Sequence, residues 1–171
     1  MTDGRPDGAG TRWTELLEDA SAIAEEYREN GWDAIVLEPA AISPVERADR
    51  TGLDVLVSSE AYDLVEALVE DGDVTVTAAD VYYRPPERDE HERIALVIER
   101  DDASETAIFV PLTYDLEDSR AVFETALAEE ELLVHVSAAT TDDGPENWIS
   151  FSHGDPSLFL EEADVRDWGD R

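Results

Sequence analysis

Trp13, Leu16, Leu17, Ala20, Ile23, Ala24 and Tyr27 recur at intervals of three and four, and Glu15, Glu18, Asp19, Glu25, Glu26 and Glu29 fill positions between them. That spacing gathers the apolar side chains on one stripe of an α-helix and leaves the opposite face wet. Thr11 is suited to cap its start and Asn30-Gly31 to stop it. Trp32 to Leu37 then predicts a strand closed by Glu38-Pro39, and Ala40 to Thr51, which holds Pro44, predicts a loop or a short helix. Gly52 to Val57 is a compact apolar run that predicts a strand. It feeds directly into a second helix near Glu60 to Glu70, capped by Ser58 or Ser59, with a stripe of Ala61, Leu64, Val65 and Leu68.

Asp71-Gly72 ends that helix. A strand begins with Val74, Val76 and Ala78 and runs to Tyr83, where Pro85-Pro86 forbids further ladder bonding. Arg93 to Arg100 and Glu105 to Thr113 are β-rich runs separated by Asp101 to Ser104, the pattern of a hairpin with a four-residue loop. A third helix over Glu117 to Glu130 buries Val122, Phe123, Ala126 and Leu127. The last hairpin pairs Glu131 to Ala139 with Asn147 to His153 around a loop holding Asp142 to Pro145. The tail from Asp155 offers a short helix, with Leu158, Phe159, Val165 and Trp168 available for docking.

Short hairpin connections force antiparallel neighbours. The pattern therefore predicts an α+β fold: a largely antiparallel sheet of about seven strands, with three helices packed mainly on one face in two layers. A right-handed βαβ crossover from Val57 to Val74 is the alternative local topology. Residues 1–10 are polar and Gly-rich and read as a flexible arm, leaving residues 11–171 as a single α+β domain. At 171 residues one core is expected.

Charge changes this picture. The chain carries 44 Asp plus Glu against 12 Lys plus Arg, every one of the latter Arg, for a formal charge of -32. A hydrophobic content of 42% argues for a folded domain in spite of that excess. Such charge repels itself across a compact surface in dilute buffer. At about 1 M salt the Debye length falls to roughly 3 Å and the penalty fades. Arg in place of Lys fits the same setting, being less strongly hydrated and able to pair bidentately with carboxylates. A GC-rich genome would also deplete Lys, but accounts less well for the Glu content. The absence of Cys removes disulfides, thiolate metal sites and Cys nucleophiles. No apolar run approaches the ~20 residues that span a bilayer, so a soluble, cytoplasmic protein without membrane contact is expected.

Candidate chemistry is sparse. If Ser137 pairs with Ser150, one face of the last hairpin collects Val134, Val136, Ala138, Ile149 and Phe151, and the other collects His135, Ser137, Trp148, Ser150 and Ser152. A nucleophile needs a base within hydrogen-bond reach and a third group to orient that base. His135 with Ser150 or Ser152 supplies two members, although no G-x-S-x-G elbow or Gly-rich oxyanion turn accompanies them. The plainer expectation is that these residues line the solvent side of the sheet. His91, His135 and His153 lack zinc-ligand spacing, and neither Asp101-Asp102 nor Asp142-Asp143 fits a calcium loop, so no specific metal is expected. Phosphate-cradling Gly motifs are missing, and no cofactor is expected. Tyr82, Tyr83 and Arg84 could combine stacking with phosphate contact, but Glu87, Asp89, Glu90 and Glu92 cancel the nearby positive charge and disfavour nucleic acid. Trp148 and Trp168 are the candidate anchors for a partner, either a second copy or another protein.

The Lys-free acidic composition, and the Trp13 to Tyr27 helix leading into Trp32-Asp-Ala-Ile-Val-Leu-Glu-Pro39, resemble uncharacterised small acidic proteins of halophilic archaea that are grouped only as domains of unknown function. The resemblance implies a salt-rich environment and transfers no catalytic motif. The functional expectation is a non-enzymatic protein-interaction or regulatory module. The alternative is a small hydrolase using the Ser and His face of the last hairpin.

Overall fold

The computed structural model describes residues 10–47, 50–69, 76, 78–84, 92–138 and 148–160. Along the chain come α1 (Gly10–Glu29), β1 (Asp33–Val36), β2 (Ala41–Arg47), β3 (Arg50–Val57), α2 (Ser59–Val69), β4 (Ala78–Arg84), β5 (Glu92–Asp101), β6 (Thr106–Asp115), α3 (Arg120–Glu129), β7 (Leu132–Ala138), β8 (Ile149–His153) and a short 3-10 helix (Pro156–Phe159). Residues 1–9 of the expected arm, the turns at Asp71-Gly72 and Asp142 to Pro145, the Pro85-Pro86 stop, His91 and the tail beyond Leu160 with Trp168 lie outside the described residues.

The fold is α+β, with three helices among the described residues. The strands, however, form two mixed sheets of four rather than one largely antiparallel sheet of about seven. The first sheet has the order β1-β6-β5-β4 and the second β2-β3-β7-β8. Each contains one parallel pair, β1 with β6 and β3 with β7, and the other pairs are antiparallel. The departure has a topological cause. Both α2 and α3 carry the chain from one sheet to the other, so the strands flanking a helix never share a sheet. For the same reason the segment after Val57 is not a βαβ crossover.

Local chemistry sets the element ends. Trp32 N–H donates to the Tyr27 carbonyl at 2.9 Å and Gly31 N–H to the Arg28 carbonyl at 3.0 Å, with Gly31 at φ +90°. These are the two bonds of a Schellman stop, and the Tyr27 and Trp32 rings supply its apolar contact edge to face at 5.2 Å. The Ser58 hydroxyl accepts the Ala61 N–H at 3.1 Å and caps α2. Ala41 to Arg47 forms a strand despite Pro44, where a loop or short helix was expected. β2 lies at the edge of its sheet, and Pro is tolerated on an edge strand. In α2, Tyr62 and Val65 point inward and Leu64 is 55% exposed, so the expected stripe is rotated. Leu64 stands about 100° around the helix from Val65, too far to share its face.

Packing divides along strand parity. Ala95, Val97, Ile108, Val110 and Leu112 of the first sheet join Leu53, Val55, Val57, Val134, Val136, Ile149 and Phe151 of the second in one core, with Tyr62 and Val65 of α2 and Val122 and Phe123 of α3. The alternate residues Ile94, Leu96, Ile98, Ala107 and Phe109 face the other way and are covered by Leu16, Ala20 and Ala24 of α1. The central strands β5 and β6 are therefore buried on both faces, which is why they read as unbroken apolar runs. Each fully buried Val, Leu, Ile or Phe among them contributes about 1.5–3 kcal/mol through burial.

Candidate functional site

The second sheet positions the residues that the sequence singles out. Ser43 pairs with Asp54, Asp54 with His135, and His135 with Ser150. Paired residues share a face, so these four side chains form one polar row across all four strands. The expected register, Ser137 with Ser150, is displaced by two residues. Because side chains alternate with period two, this slip leaves every residue on its expected face.

The row is not the solvent side of the sheet that was expected. His135 is 2% exposed, Ser137 1% and Asp54 9%, while Ser150 remains exposed. The half-buried Trp148 ring meets the His135 ring edge to face, with centroids 6.4 Å apart, and helps shield it. His135 Nδ1 lies 2.7 Å from Ser150 Oγ, and Nε2 lies 3.2 Å from the Thr51 carbonyl oxygen. A carbonyl can only accept, so Nε2 carries the hydrogen and Nδ1 of the neutral ring accepts from the Ser150 hydroxyl. Ser152, on the same face, instead donates to the Glu131 carboxylate at 2.5 Å. The structure thus joins His135 to Ser150 and leaves Ser152 apart.

Gly52 makes this arrangement possible. It has φ +148°, and a Cβ there would stand 2.2 Å from the Leu133 carbonyl oxygen. Only glycine lets β3 approach β7 this closely, bringing the Thr51 carbonyl over His135.

His153 faces the opposite side of the sheet. Its Nε2 donates to Glu99 Oε2 at 2.8 Å, between side chains that are 4% and 1% exposed, and its ring packs edge to face on Phe159 at 5.4 Å. This clasp joins β8 of one sheet to β5 of the other. It was not among the expected sites, although a carboxylate directly after Ile94 to Ile98, in step with Ala95 and Val97, is a signal that it would face the core. Among the described residues, no three His, Asp or Glu gather as metal ligands, and no helix is long and apolar enough to cross a membrane.

A second feature lies where α1 leaves part of the first sheet uncovered. Two adjoining hollows of about 490 and 590 Å³ share Ile23 and Tyr82; Tyr27, Trp32, Leu16 and Leu96 line the rest, with Asp19 and Glu26 present. Tyr82 is 50% exposed. Tyr83, the next residue, also borders the second hollow, but it packs against the core between the sheets, and successive side chains of a strand point to opposite faces. Arg84 ends β4, and its side chain lies outside the described residues. Nearby, Arg100 pairs with Asp80 and Asp102, each at 3.1 Å, so its charge is already matched. Burial raises the Tyr27 hydroxyl above its ordinary range; Arg100 opposes this, and Asp80, Tyr82 and Asp102 reinforce it. Among the described Trp residues, Trp32 lines the groove, whereas Trp148 packs on His135.

These features define an acidic α+β domain with two mixed sheets, one with its central strands buried on both faces and one bearing a polar row. The chain belongs to the Family of unknown function (DUF7529), whose model matches residues 3–161. Comparison with curated proteins and with solved structures finds no match.

Proposed function

We propose that this protein acts as an interaction module of a salt-rich cytoplasm, and that the groove between α1 and β4 takes up a segment of another protein bearing aromatic or aliphatic and basic side chains. The observation that carries this reading is the half-exposed Tyr82 at the junction of two hollows lined by Leu16, Ile23, Tyr27, Trp32 and Leu96. Aromatic side chains that are accessible yet seated on an apolar floor are the usual anchors of an interface. β4 ends its sheet, and among the described residues no strand pairs with its outer edge, which suits addition of an extended segment.

The charge selects the occupant. A second copy would bring one chain of formal charge -32 against another, whereas a basic segment complements Asp19 and Glu26 in the groove. At about 1 M salt, steering over distances beyond roughly 3 Å is lost. Apolar contact then supplies the affinity, and contact ion pairs supply discrimination against acidic segments.

Titration of the full chain in 2 M KCl with synthetic peptides alternating Arg with Leu or Trp, followed by isothermal calorimetry, is the test; the concentration is chosen to be of order 1 M or above. Saturable binding, at least tenfold weaker in Tyr82→Ala and absent for the same peptide with Glu replacing Arg, is the expected result. Binding untouched by Tyr82→Ala, or no saturable binding at all, overturns the reading. So does a dimer in light scattering that Tyr82→Ala dissolves.

A further inference from the structure

We propose that Ser150 is a base-activated nucleophile, with His135 as its general base and the Thr51 carbonyl as the group that orients the imidazole, and that its substrates are uncharged or cationic carboxylic esters. This activity is independent of the groove on the other sheet.

With Nε2–H committed to the Thr51 carbonyl at 3.2 Å, the neutral ring directs its lone pair on Nδ1 at the Ser150 hydroxyl, 2.7 Å away. Nucleophile, base and orienting acceptor are then all within hydrogen-bond reach, as activation of a serine requires. The orienting group is a backbone oxygen fixed by the close passage of β3 along β7 at Gly52, so it cannot rotate away. Asp54 is paired with His135 in the ladder and shares its face, and a carboxylate on that side would favour the imidazolium formed during reaction.

Exposure divides the roles. Ser150 is open to solvent while His135 is 2% exposed, so the outward-facing member of the pair is the hydroxyl and the base is shielded behind it. Trp148 flanks the imidazole and offers an apolar surface to an acyl chain. Because salt leaves only contact-range electrostatics, it is the Glu131 carboxylate hydrogen-bonded to Ser152 and the Asp54 carboxyl group paired with His135 that disfavour an anionic ester.

The step balances without any co-reactant beyond water. Ser150 Oγ bonds to the ester carbonyl carbon as its proton passes to His135 Nδ1. The imidazolium, held through Nε2–H by Thr51, returns that proton to the departing alkoxide as the ester C–O bond breaks. Water then attacks the acyl-serine by the same route, releasing the acid and restoring the hydroxyl.

Ser152 provides an internal control. It is an exposed hydroxyl on the same strand and face, but its partner is the Glu131 carboxylate rather than an imidazole. The test is reaction of the full chain in 2 M KCl, within the order-1 M screening regime, with an uncharged alkyl fluorophosphonate, in which Oγ bonds to phosphorus and fluoride leaves. Peptide mass spectrometry then gives the rate at each serine. General-base assistance contributes about 10²–10⁴-fold, so Ser150 is expected to label at least about 100-fold faster than Ser152. His135→Gln is expected to remove that advantage while the circular dichroism spectrum is retained, and p-nitrophenyl butyrate hydrolysis is expected to fall to background in Ser150→Ala. Equal labelling of the two serines, or an esterase rate unchanged in Ser150→Ala, overturns the proposal even if His135→Gln does not fold.

Discussion

The two sheets have the same size and the same single parallel pair, yet their outer faces are opposites. On the first, Ile94, Leu96, Ile98, Ala107 and Phe109 lie under the stripe of α1. On the second, Ser43, Asp54, His135 and Ser150 stand side by side, and the imidazole is buried through its hydrogen bonds and the edge of Trp148. The first face is committed to stability, because apolar surface under a helix has nothing to offer a ligand. The second retains polar groups in fixed positions, and fixed polar groups are what chemistry requires. Where the helix stops short, at Tyr82, even the first sheet regains a surface able to bind.

The largest break in this comparison comes from the covered face. Phe109→Ala removes a fully buried ring that meets Tyr27 edge to face at 5.4 Å. It is expected to cost about 3–5 kcal/mol, read from urea or thermal unfolding in high salt. Ser150→Ala, which leaves the buried His135 Nδ1 without its 2.7 Å donor, is expected to cost less, about 1–2 kcal/mol in the same assay. Gly52→Ala comes next: the Cβ can be accommodated only by pushing β3 from β7, at a cost of about 3 kcal/mol. It should also disturb the Thr51 contact to His135, visible as a shift of the imidazole resonances.

Glu99→Ala tests the clasp between the sheets. It leaves His153 buried without its 2.8 Å partner, for about 2 kcal/mol, and the joint change E99L with H153F is expected to recover most of that loss. The smallest effect belongs to Tyr27, whose folded-state hydroxyl is raised by burial. Above about pH 10 the unfolded chain ionises this group first, so its stabilising contribution, complete below that pH, is lost as pH rises through the folded value. Tyr27→Phe is expected to make the alkaline decline of stability less steep in pH-dependent melts.

Much of this was legible before any coordinates. The α1 stripe, its stop at Asn30-Gly31, the Ser58 cap, the β5–β6 hairpin and the inward faces of β7 and β8 follow from periods of 3.6 and 2 and from residues with one conformational use. Ile94 to Ile98 also announced, by having no polar alternation, that both faces of β5 would be covered, a signal at odds with a two-layer reading. His135 and Ser150 were named correctly as neighbours on one face, but the two-residue register and the burial of the imidazole were not accessible. Pro44 misdirected the reading of β2 because its tolerance depends on the strand being at an edge.

By itself, then, the sequence determined the extent of the three helices, the β5–β6 and β7–β8 hairpins, the inward faces of those strands and the excess of acidic residues, because these depend on local geometry and composition. The tertiary structure alone decided that β1 joins β6, that β3 joins β7, that Glu99 meets His153 and that Thr51 holds His135. Those pairings join segments distant along the chain, and their choice rests on which arrangement buries every apolar stripe at once, a condition no single window of residues contains.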